Sequence, residues 1–110
     1  MAYSVRERRQ TVAQIRGVFT NTGDAKTDLN LLLDPNASFS SLLKCSVYYV
    51  EDGVELYVGG AYVYNVQEDR RVQLKVTSRE PSKDSVWRRI EVHDKSVIDK
   101  LLVKVGERMP

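Results

Sequence analysis

The sequence predicts a mainly β domain: an antiparallel meander of about six strands, curled into a small barrel or sandwich, with a C-terminal α-helix packed on it. Three observations carry this. Residues 43 to 77 are rich in valine and tyrosine and interrupted by turn chemistry at Glu51-Asp52-Gly53 and Gln67-Glu68-Asp69-Arg70, the pattern of consecutive antiparallel strands. Residues 71 to 79 alternate strictly, with Val72, Leu74 and Val76 against Arg71, Gln73, Lys75, Thr77 and Arg79, as in a strand with one solvated face. Near the end, Val97, Ile98, Leu101, Leu102 and Val105 recur at helical spacing.

Taken in order, residues 1 to 10 read as a basic arm or short helix, since Ser4 and Glu7 have capping-box spacing. Val12, Ile15 and Phe19 fit one helical face, but the second half of 11 to 20 is β-prone, and a strand is expected there. Asn21-Thr22-Gly23-Asp24 marks a turn. Residues 28 to 34 form a second strand paired with the first, ended by Asp34-Pro35. In the strand over 43 to 50, Leu43, Cys45, Val47 and Tyr49 share one face. Asp52-Gly53 suits a two-residue hairpin turn, which needs φ > 0 at both positions. Gly59-Gly60, inside a long strand pattern, predicts a bulge or bend of the kind that curls a sheet. Residues 86 to 92 read as a further strand with Val86, Arg88, Ile90 and Val92 in phase. Asp94 or Ser96 then caps a closing helix over 94 to 106, with Gly106 as its C-cap.

The chain has 110 residues, one domain by size, with 17 basic and 15 acidic residues and a net charge of +2. That balance gives no bulk-charge argument for nucleic acid, so any such case depends on where the charges sit. The single cysteine, Cys45, falls in an apolar strand and reads as a small buried hydrophobe. No apolar run has the length of a membrane span, and the N-terminal residues lack the apolar core of a signal peptide. A cytoplasmic protein with no membrane association is expected.

Little points to catalysis. His93 beside Asp94 has the form of a base oriented by a carboxylate, but a histidine ending a strand is the commoner case. No metal-ligand cluster or cofactor motif is present. The expectation is a non-enzymatic binding or assembly module without cofactor, acting on a protein partner or on itself. Tyr48, Tyr57 and Tyr62 are the expected interface residues, because tyrosine is enriched in interfaces. The alternative is single-stranded nucleic acid, held by Arg71, Lys75, Arg79 and Arg89 with Trp87 as a stacking surface and Arg6, Arg8 and Arg9 in the arm.

Overall fold

The computed structural model describes residues 12–33, 43–66 and 71–106. It contains β1 (Val12–Phe19), β2 (Asn30–Leu33), β3 (Lys44–Glu51), β4 (Val54–Val66), β5 (Val72–Arg79), α1 (Asp84–Glu91), α2 (Lys95–Ile98) and β6 (Leu101–Val105), with a 3-10 turn at Pro81–Lys83 before α1. The six strands form a closed antiparallel barrel in the order β1-β2-β5-β4-β3-β6, with β6 returning to β1. The expected mainly β fold is thus present, and closure decides between barrel and sandwich. The basic arm over residues 1 to 10 lies outside the described residues.

Side-chain alternation fills the interior. Val47, Val58, Val63, Leu31, Leu33, Val72, Leu74, Leu101 and Val103 are all fully buried, so the barrel is packed by branched aliphatic side chains. The β3–β4 hairpin turns at Asp52-Gly53, where φ is 53° and 78°, as the two-residue turn requires.

The predicted bend at Gly59-Gly60 is a pair of bulges. Against β3, Val47 pairs with Gly59 and Tyr48 with Tyr57, leaving Val58 as the extra residue. Against β5, Gly60 pairs with Ser78 and Ala61 with Val76, leaving Thr77 extra. A one-residue insertion reverses the facing of everything beyond it. Arg79 therefore does not share the outer face of Lys75; it turns to the end of the barrel, against Trp87.

Two elements differ from the sequence reading. Residues 86 to 92 are not a strand: α1 covers Asp84–Glu91. The strand phase would have placed Arg88 inward. The helix places it outward, where its guanidinium meets Asp84 four residues earlier at 2.8 Å, and buries Trp87 and Ile90 instead. Pro81 opens the preceding 3-10 turn, Asp84 sits in the first turn of α1, and Arg88 and Arg89 sit in the last, as the helix dipole favours. The closing helix over 94 to 106 is also shorter than expected. Asp94 caps it, accepting from the Ser96 amide at 3.0 Å, but α2 ends at Ile98. Leu101–Val105 is instead β6, which pairs with both β3 and β1. As a helix this segment would leave β1 and β3 unpaired along those edges. As a strand it satisfies both and still buries Leu101 and Val103. Gly106, at φ 108°, ends the strand and is no helix cap.

Candidate functional site

The outer face of β6, β3, β4 and β5 gathers side chains far apart in sequence. The registers set its rows. Leu102, Tyr48 and Tyr57 stand side by side on β6, β3 and β4. Two residues along, Lys104, Ser46, Gly60 and Ser78 form the next row. Lys44, Tyr62 and Lys75 form a third. In the opposite direction lie Val50 and Glu55, with the Lys100 carbonyl accepting from the Val50 amide. The three tyrosines expected at an interface are therefore on one surface, each half-buried.

The rings are held in place. Tyr48 and Tyr57 meet edge to face, with centroids 5.8 Å apart at 74°. The Lys104 ammonium lies 5.0 Å from the Tyr48 centroid and ends on the Glu55 carboxylate, so its stem lies across the ring. Beside this pair a groove of about 430 Å³ is lined by Gln14, Val50, Asp52, Asp99, Lys100 and Leu102. Val50 and Leu102 give it apolar surface, and Asp52, Asp99 and Lys100 bring charge of both signs.

The residues expected to hold nucleic acid do not converge. Trp87 is fully buried and donates its indole N–H to the Val58 carbonyl at 2.7 Å, so it has no face to offer a base. Arg79 lies 5.2 Å from the Trp87 centroid, pairs with Glu91 and donates to the Ala25 and Lys26 carbonyls. It fastens β5 and the β1–β2 loop to α1. Arg89 is on α1, paired with Asp94 at 2.8 Å and donating to Ser96 at 3.2 Å. Arg71 is exposed immediately before β5. Lys75 reaches Asp28 at 3.4 Å. Arg6, Arg8 and Arg9 lie outside the described residues.

His93 has a structural place. Its φ is 62°, and it ends α1. The His93 amide donates to Ile90 and the Asp94 amide to Arg89, both at 3.0 Å. That is the bond pair of a left-handed helix end, with His93 where glycine is usual. The Asp94 carboxylate accepts from the Ser96 hydroxyl and from Arg89, which together hold it below the usual carboxylate range.

Sequence reading missed Asp28. It is buried and accepts from the Asn21 amide at 2.6 Å, the Thr22 amide at 2.8 Å and the Asn30 side chain at 3.0 Å. These donors, the Asn30 amide first, hold its carboxyl well below the ordinary range. The available signal was an aspartate directly before an apolar strand, two residues ahead of an asparagine on the same side. Cys45 is buried, and burial pushes its thiol up to about 11, which leaves it protonated and unreactive at neutral pH.

Among the described residues no group of three or more His, Cys, Asp or Glu side chains is placed to hold a metal ion. Nor is any helix among them long and apolar enough to cross a membrane. Comparison with protein families, curated proteins and solved structures finds no match to this chain.

Proposed function

We propose that this chain is a non-enzymatic, intracellular binding and assembly module that makes protein–protein contacts through the outer face of β6, β3 and β4. The observation that carries this reading is the clustering of Leu102, Tyr48 and Tyr57 in one outer row beside a partly apolar groove. Half-buried tyrosines stiffened by ring contacts lose little side-chain entropy on binding, which is why tyrosine serves well in interfaces. Closure of the barrel supports the same choice. Among the described residues each strand has a neighbour on both sides in the barrel, which favours docking on a face over addition of a strand at an edge. The buried, protonated Cys45 agrees with a reducing compartment.

The test uses charge placed in the patch. Tyr48→Asp should abolish capture of bound proteins from a lysate, while Arg71→Glu, on β5's approach, should leave the same proteins bound. Identical capture by both variants would count against this face.

A second reading is single-stranded nucleic acid on the same surface. It is favoured by the row Lys44, Tyr62, Lys75 and by Lys104 over Tyr48, which alternate cations with rings. A fluorescence titration with labelled oligonucleotides at two salt concentrations separates the two. Electrostatic binding weakens steeply as salt rises, and under the first reading no salt-sensitive binding appears.

A further inference from the structure

We propose that the cleft between the tip of the β3–β4 hairpin and the start of α1 binds a small zwitterion, a free amino acid with an apolar side chain. The site is separate from the Tyr48 face and independent of the reading above, because Tyr49 and Glu51 stand on the opposite side of β3 from Tyr48.

Two periodicities build the cleft. On the sheet side, Tyr49 and Glu51 are two residues apart on β3 and share a face, and Leu56 on β4 is the register partner of Tyr49. On the helix side, Ser82, Ser85, Val86 and Arg89 recur at spacings of three and four along the 3-10 turn and α1, so they share the face turned to the hairpin. With Lys83, these residues line a cleft of about 310 Å³, at the small end of ligand sites.

Its polar groups lack partners. Tyr49 is only 8 % exposed, yet its hydroxyl makes no hydrogen bond among the described residues and still reaches solvent. The cleft is where it opens. A tyrosine buried this far ordinarily bonds its hydroxyl to the protein. Among the described residues the side chains of Glu51, Ser82, Lys83 and Ser85 also make no hydrogen bond or ion pair, and Lys83 is half-buried. The other charges around the start of α1 are matched: Asp84 with Arg88, and Arg89 with Asp94. One carboxylate and one ammonium are left over, on opposite walls of the same space.

Each of these groups has a counterpart in an amino acid. Lys83, Ser82 and Ser85 donate, and they sit at the start of α1, which no side chain caps. The helix dipole favours a carboxylate there. Glu51 accepts from an ammonium across the cleft. Leu56, Val86 and the Tyr49 ring offer apolar surface to the ligand's side chain. A phosphate ester would satisfy Lys83 but lie against Glu51, so the charge balance selects a zwitterion over an anion.

The test is titration of the isotope-labelled full chain with L-leucine and L-phenylalanine, and with the N-acetyl and amide forms of each, up to about 10 mM, read from amide chemical shifts. At least one of the two amino acids should bind with a Kd between about 10 µM and 1 mM, moving the signals of residues 49 to 51 and 82 to 86. Its N-acetyl form lacks the ammonium and its amide lacks the carboxylate, so each should bind roughly tenfold more weakly. Glu51→Gln should weaken the amino acid and erase its advantage over the N-acetyl form. Lys83→Gln should erase its advantage over the amide. Such paired losses report which wall holds which end of the ligand. Tyr49→Phe keeps the ring and should weaken binding a few-fold. Signals remote from the cleft confirm that each variant is folded.

Absence of shifts with both amino acids overturns the proposal. Equally tight binding of an N-acetyl or amide form does so too, because the site would then read only one charge. Binding that neither Glu51→Gln nor Lys83→Gln weakens lies elsewhere on the chain and also overturns it.

Discussion

The Trp87 indole closes the end of the barrel directly over Gly59. A Cβ at Gly59 would lie 2.7 Å from Trp87 Cζ2 and 2.3 Å from the Ser78 carbonyl oxygen, so only glycine fits. The glycine pair that bends β4 thus also makes room for the helix that caps it. Trp87→Phe keeps most of the apolar contact and loses the bond to Val58, and should cost about 1 kcal/mol from that bond, plus repacking. Trp87→Ala should cost ~3–5 kcal/mol. Gly59→Ala should destabilise too, because one of its two contacts is backbone. Urea melts test all three, and a neutral Gly59→Ala would show that the helix does not seat on β4.

His93 makes the opposite kind of prediction. It occupies a left-handed helix end that glycine adopts without strain. His93→Gly should raise stability by up to ~1 kcal/mol, and His93→Val should lower it. A drop in melting temperature on His93→Gly would mean the imidazole makes a contact worth more than the backbone strain.

Legibility followed the range of the interactions. β1 and β2 were expected as strands on weaker cues, since 11 to 20 also fits a helical face and 28 to 34 is too short for its period to decide. The Asp52-Gly53 turn and the strands from 43 to 79 are specified by period-2 alternation and local turn residues, and were readable. Residues 86 to 105 were not, because their outcome depends on partners distant in the chain. Leu101 and Val103 become strand because β1 and β3 both need a neighbour, which no local window contains. Trp87 becomes a helical plug because Gly59, 28 positions earlier by their residue numbers, leaves a hole for it. The tyrosine face was half legible. The residue types at 48, 57 and 62 suggested an interface, but their convergence required the pairing of β3 with β4. Arg79 was misplaced by one bulged residue, Thr77, which no alternation pattern shows.

Arg79 gives a third prediction. Its guanidinium joins Glu91 on α1, two carbonyls of the β1–β2 loop and the Trp87 ring. Removing it strands a largely buried carboxylate and leaves carbonyls short of a donor. Arg79→Ala should therefore cost ~3–5 kcal/mol, in the range for breaking one side of a buried pair. Arg79→Lys should recover only part, because an ammonium cannot make the forked contact. Equal stability of the two variants would mean that charge alone matters there and the fork does not.

The fourth prediction concerns acid. Asp28 titrates well below its ordinary range because the Asn30 side chain and the Thr22 and Asn21 amides all donate to its ionised form, with Lys75 adding a charge. The unfolded chain has none of these partners and takes its proton near pH 4. Above that value the carboxylate is ionised in both states, and its full stabilising contribution is present. As pH falls below about 4 the unfolded state binds the proton first, and the contribution drains away toward the folded pKa. Asp94 acts with the same sign, from a half-buried site held by Ser96 and Arg89. Asp28→Asn should lower stability at neutral pH, since the amide carries no charge for Lys75 and presents one acceptor oxygen where the carboxylate has two. It should also flatten the loss of stability between about pH 4 and pH 2, because the titrating group is gone. Urea melts across that range compare the slopes directly. A variant whose acid slope matches the parent would mean that other carboxylates carry the acid sensitivity and that the Asp28 cluster is already open before the barrel unfolds.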